Sequence, residues 1–139
     1  MEHIEPARIV ATRVPDAKRI EFLPRHFGRH MVLVELTVYA HLSRFSVDYQ
    51  GGYWDYYDLS NGGCYMAPSL SRGYHLVIEG NGFSGTLDAE CAGIVATLFA
   101  LSHVLMRYRN VVRLADRFHQ LRDFACGHPD GNLILAAID

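Results

Sequence analysis

The densest gathering of reactive side chains in this 139-residue sequence lies between residues 49 and 68, YQGGYWDYYDLSNGGCYMAP. Asp55 and Asp58 stand there beside Trp54, Tyr56 and Tyr57. Paired carboxylates among aromatic rings are what a glycoside hydrolase uses, one protonating the leaving oxygen while the other acts as base or nucleophile. The spacing speaks against that use, because strand side chains alternate and positions 55 and 58 point to opposite faces. Ser60 and Cys64 have no sequence-level partner that would make them nucleophiles, and no GxSxG elbow, P-loop, GxGxxG fingerprint or HExxH helix is present. His26 and His30 are spaced like a helical zinc pair, but Gly28 lies between them and no third ligand is near in sequence. No catalytic residue, metal ligand or cofactor is therefore assigned, and the chain is read as a non-enzyme.

Arg109, Arg113 and Arg117 recur every four residues, a stripe that could follow phosphates. Asp116 and Asp123 share that face and offset it, so the row reads as a solvated helix surface with local ion pairs, and tight direct DNA binding is not expected. The opposite extreme, imitation of DNA by a dense array of carboxylates, fails on composition. Fifteen acidic residues face thirteen basic ones, for a formal net charge of -2. Residues 31–90 carry seven acidic and two basic groups, so the negative charge surrounds the tyrosine-rich segment.

Regular elements have to hold these side chains. Residues 1–29 contain Pro6, Pro15 and Pro24 and read as an irregular arm with one short strand near residues 8–14. Met31, Val34, Val38, Leu42 and Phe45 recur at helical spacing and predict a helix over residues 30–48, ended by Gly51-Gly52. Residues 53–59 and 64–67 read as strands joined at Ser60-Asn61-Gly62-Gly63, whose Asn and Gly suit a tight turn. Residues 74–79 and 83–87 form a second pair around Gly80-Asn81-Gly82, giving a four-stranded antiparallel meander. Asp88 is placed to cap a helix over residues 89–108 that is apolar almost all round. Further helices are predicted over residues 111–126 and from Pro129 to Ile138. The expected fold class is α+β, one domain spanning residues 1–139, with a meander packed against an N-terminal helix and a helical C-terminal half.

Three cysteines without a CxxC pair point to reduced thiols, and the start of the chain has no apolar run of the secretory kind. The longest apolar stretch, residues 91–106, falls short of the roughly 20 residues that span a bilayer. A cytoplasmic protein without membrane attachment is expected.

Four segments together resemble a known family. FLPRHFGRH (residues 22–30), YQGGYWDYYDLSNGGCYMAP (49–68), AGIVATLFALSHV (92–104) and the tail HQLRDFACGHPDGNLILAAID are similar to antirestriction proteins of the KlcA/ArdB type. The resemblance runs from about Pro6 to the C-terminus, with GGYW, LSNGG, YMAP and AGIVATLFAL in the same order. It implies a small α+β protein of plasmids and other mobile elements that protects incoming DNA from host type I restriction-modification systems. It brings no agreed catalytic residues. The implied partner is the type I restriction-modification complex or an associated host factor, met through a protein interface or at a late step such as DNA translocation. Tyrosine and tryptophan bury large areas at interfaces while keeping a polar handle, so Tyr53, Trp54, Tyr57 and Asn61 are the candidate contact residues. The rival reading is a small-molecule or carbohydrate-binding protein that uses the same aromatic hairpin.

Overall fold

The computed structural model describes residues 8–139. Elements follow in the order β1 (Ala11–Arg13), α1 (Arg19–Phe27), α2 (Met31–Phe45), β2 (Trp54–Leu59), β3 (Cys64–Pro68), β4 (Gly73–Ile78), β5 (Phe83–Asp88), α3 (Ala89–Arg107), α4 (Val112–Cys126) and α5 (Gly131–Ile138). The α+β class is as the pattern predicts. The single meander is not, because β1, β2 and β3 form one antiparallel sheet while β4 and β5 form a separate two-stranded ribbon.

The backbone of β3 explains the division. Val14 N–H donates to Tyr56 O, so Tyr56 turns its backbone groups toward the β1 side of β2. Its cross-strand neighbour Met66 therefore turns its own N–H and C=O away from β2, by the alternation of antiparallel pairing. Those groups meet α3 instead of β4. Met66 N–H donates to Thr97 Oγ1 at 3.3 Å, and the Thr97 hydroxyl lies 2.8 Å from Gly93 O and 3.4 Å from Met66 O. A helix can come this close only where it lacks a side chain, and a Cβ on Gly93 would sit 2.3 Å from Met66 O and 2.5 Å from Ala67 Cα. The outer edge of β3 is thus satisfied by a helix, and β4 has no place beside it.

Asp88 caps α3 as predicted, accepting from Cys91 N–H at 2.8 Å. This helix has the length and apolarity of a membrane span, yet most of its side chains, from Cys91 to Leu98 and on to Val104, are buried in the protein core. Its apolar circumference is covered by β3, α2, α4 and α5.

The N-terminal arm is more ordered than its prolines suggest. Residues 16–18 make a 3₁₀ turn that leads into α1, and Pro24 lies inside that helix. Pro24 cannot donate to the preceding turn, but the helix is fixed from outside by Phe22, Phe27 and His26, all buried. Phe22 stacks on Tyr56 of β2 with centroids 4.3 Å apart and planes 9° from parallel. The short strand expected near residues 8–14 is β1, and the helix expected over residues 30–48 is α2, ending at Phe45. Pro6 lies outside the described residues.

Replacing Gly93 by Ala should destabilise the protein by about 1–3 kcal/mol or more, since β3 backbone must move to admit the methyl group. Gly80, whose Cβ position is open, should accept Ala with little change. Urea unfolding of the two variants checks the contrast.

Candidate functional site

The four candidate contact residues do not share one surface. Trp54 is only 3% exposed; its Nε1–H donates to the Tyr49 hydroxyl at 3.0 Å and its ring packs against Tyr39. It is a core residue, placed inward by strand alternation, and this corrects its reading as a contact. Tyr57 stacks on Tyr65 at 4.7 Å, and Tyr65 stacks in turn on Phe124 of α4. Asn61 Nδ2–H donates to Gln120 O at 2.9 Å while its Oδ1 accepts from Gly63 N–H at 3.0 Å, so it shapes the hairpin turn and ties it to α4. Tyr53 alone is well exposed, at 57%. The Arg19 guanidinium lies 4.3 Å from its ring centroid and 4.2 Å from that of Tyr56, a cation held between two aromatic faces.

The two aspartates answer to different elements, as alternation predicts. Asp55 accepts from Arg13 Nε–H at 3.2 Å across the β1–β2 pair. Asp58 belongs to a polar knot between β2, α1 and α4. Its Oδ2 accepts from Arg25 at 3.0 Å and its Oδ1 lies 2.6 Å from His26 Nε2. On the other side of the imidazole, Arg117 Nε–H donates to His26 Nδ1 at 2.9 Å. An arginine can only donate, so Nδ1 carries the lone pair and Nε2 carries the proton that points at Asp58. His26 is held neutral. Burial is the largest cause lowering its pKa, aided by the charges of Arg117 and Arg25 and opposed by Asp58. At Asp58 burial alone would raise the pKa, but hydrogen bonds from Arg25 and His26 outweigh it and the carboxyl sits below the usual range. The site has no nucleophile within this set and serves to join three elements.

The same geometry breaks up the arginine stripe. Arg117 is turned inward to His26 and Gln120, and the Arg113 guanidinium lies against Gly28. His26 and His30 are separated too, because His30 packs its ring against Tyr108. The periodicity of residues 109, 113 and 117 gave no hint of this, since His26 and Gly28 stand more than eighty positions before the arginines they meet.

A second polar cluster was not legible in the sequence. Glu90, Cys91 and His128, and likewise Asp88, Cys91 and Asp130, bring one ligand-type atom each within 4.8 Å of the others. Its residues come from the start of α3 and from the turn between α4 and α5, far apart in sequence, and only the Asp88 cap had a local signal. Hydrogen bonding accounts for the arrangement better than ligation. The Asp130 backbone N–H donates to His128 Nδ1 at 2.9 Å, so the ring proton is on Nε2 and is directed at Glu90, which also accepts from the Tyr65 hydroxyl. Ligation through Nε2, the nitrogen that faces Glu90, needs the reverse, a free Nε2 lone pair with the proton on Nδ1. The buried Cys91 thiol is pushed up in pKa, first by burial and then by Asp88, so it is the protonated form and not the metal-binding thiolate.

The carboxylates of the hairpin thus pair with guanidiniums of neighbouring elements, beside the exposed ring of Tyr53, in a protein of the α+β class. Comparison with known proteins makes this specific. The family model described as Antirestriction protein matches residues 47–139. Antirestriction protein KlcA of Escherichia coli is 47% identical over 135 residues, covering 94% of this chain and 95% of the relative. A second E. coli KlcA is 44% identical over 140 residues, with 96% of each chain covered. A solved structure from work on the KlcA and ArdB proteins superposes with a TM-score of 0.89 at 45% identity, over 99% of this chain and all of the other. That work describes a novel fold and antirestriction activity against type I DNA restriction systems in vivo but not in vitro. The chain belongs to the KlcA/ArdB family of antirestriction proteins.

Acidification should weaken the polar knot. His26 has a folded pKa below its ordinary 6.5, so the unfolded chain binds more protons and stability rises with pH across the window beneath 6.5. His41, lowered mainly by burial, acts in the same direction. Below the ordinary 3.8 of Asp58, whose pKa is also lowered, a further loss follows. His26→Leu should cost about 1–3 kcal/mol near neutral pH and reduce, without abolishing, the slope of stability against pH. Urea midpoints of the two proteins between about pH 7.5 and about pH 5 measure both effects.

Proposed function

We propose that this chain restrains type I restriction in the cytoplasm by contact with the restriction-modification complex or a host factor associated with it, and that it does so neither as an enzyme nor as a DNA mimic. The observation that carries this reading is the distribution of its charge. A mimic has to present a dense array of unpaired negative groups. Here Asp55 and Asp58 of the hairpin are paired with Arg13 and Arg25, and Asp58 also accepts a hydrogen bond from neutral His26. A DNA clamp needs outward cations, and Arg117 is spent internally. What the hairpin does expose is Tyr53, stiffened by the Arg19 guanidinium beneath it. A rigid aromatic ring with a polar tip is the side chain that anchors protein interfaces.

The activity reported for KlcA and ArdB in cells and not in vitro supports a target or step that a purified restriction reaction lacks. A host factor that accompanies the restriction complex meets that description. The aspartates of the hairpin are occupied by their own ion pairs, which disfavours the carbohydrate-binding alternative.

Tyr53→Ala should lower protection of phage DNA in cells that contain a type I system by about tenfold, the effect of losing roughly 1.4 kcal/mol of contact, with unchanged thermal unfolding. Trp54→Ala should instead destabilise the fold by about 3–5 kcal/mol. Plating efficiencies measured beside melting curves separate these outcomes, and full protection by a folded Tyr53→Ala protein would remove Tyr53 from the interface.

A further inference from the structure

Among the described residues no strand covers the outer edge of β4 in the β4–β5 ribbon. His75 N–H donates to Asp48 Oδ2 at 2.8 Å, so it points away from β5. Residues two apart on a strand direct their backbone groups to the same side, and Val77 therefore turns its N–H and C=O outward as well. Val77 N–H has no hydrogen-bond partner among the described residues. Exposed strand edges of this kind are templates for a further strand, and proteins commonly blunt them with Lys, Pro or a covering element. β4, GYHLVI, carries neither Lys nor Pro.

A cleft of about 660 Å³ runs beside this edge, walled by Phe45 and Arg44 of α2, by Val47, and by Phe99 of α3. Val47 and Val77 line this cleft and are 87% and 49% exposed, so apolar surface adjoins the open backbone. Arg44 borders the cleft and makes no ion pair among the described residues. His41 Nδ1–H is used on Thr37 O at 2.8 Å. Unpaired main-chain groups give affinity for an extended chain, apolar flanks receive its alternate side chains, and a free cation selects a carboxylate. Asp48 already shows this chemistry at the edge, since its side chain supplies the acceptor that His75 N–H would take from a neighbouring strand.

We propose that β4 receives an extended segment of a partner protein as a third strand of its ribbon, with an Asp or Glu of that segment meeting Arg44. This rests on the reading that the chain acts by protein contact, and it adds a second surface to the one around Tyr53.

Val77→Pro is the discriminating variant. Proline at this position removes an outward N–H and no bond to β5, whereas Leu76→Pro removes an inward one and should unfold the ribbon. The full chain carrying Val77→Pro should melt with the unsubstituted protein and lose about tenfold or more of its protection in phage plating. Arg44→Glu should show a comparable loss. A photo-crosslinking amino acid placed at position 77, in cells with a type I system, should give an adduct with an extended, Asp- or Glu-containing segment of a restriction subunit or of a host factor bound to it. Full protection by folded Val77→Pro overturns the inference, and loss on Phe99→Ala alone would mark the cleft as a small-molecule site. If Val77→Pro does not fold, crosslinking decides. Adducts from position 53 and none from 77 overturn the strand while leaving the protein-contact reading intact, and adducts from neither position overturn both.

Discussion

The fold depends on one close approach, the passage of α3 over the outer edge of β3. Sheet edges are costly to bury because each outward N–H and C=O needs a partner. Gly93 lets the helix come near enough for the Thr97 hydroxyl to act as that partner for Met66. With β3 closed in this way, its side chains are buried along the whole strand, and β4 is left to pair only with β5. The largest helix, the three-stranded sheet and the separate ribbon are thus arranged around two small residues one helical turn apart.

Polar chemistry in the molecule follows from the same economy of space. Elements that pack on the sheet from α1 and α4 bring Arg25 and Arg117 to either side of His26, and the carboxylate of Asp58 completes the set. Asp58, His26 and Arg117, which in isolation suggested acid-base catalysis, metal binding and phosphate tracking, are consumed by one another. On the hairpin the side chain left facing outward is the aromatic ring of Tyr53, and on β4 it is the backbone of a strand edge that faces out.

The legible parts of the sequence were those governed by neighbours. The apolar repeat of α2, the Asp88 cap, the all-round apolarity of α3 and the end of α4 at Cys126 needed only a few adjacent residues, and each is found close to where it is predicted. The arm was misjudged because proline is a strong local signal, while the contacts that hold α1 around Pro24 come from β2 and α4. The split of the sheet was invisible for a similar reason, since Gly93 and Thr97 look like ordinary small residues of an apolar helix. At the candidate site, composition drew attention to the hairpin, but the number of aromatics concealed how few of them face solvent. Trp54 is inside and Tyr53 outside, and only their partners Tyr49 and Arg19 tell them apart.

The bond between Arg117 and His26 joins positions 91 residues apart. On the ribosome the first helix is made long before its partner, so Asp58 and His26 must wait for most of the chain to appear before their knot can be tied. Loop closure over such a span costs entropy that only late, collective contacts recover. The knot is therefore completed only once α4 has been made, well after the residues of α1 and β2 that it joins.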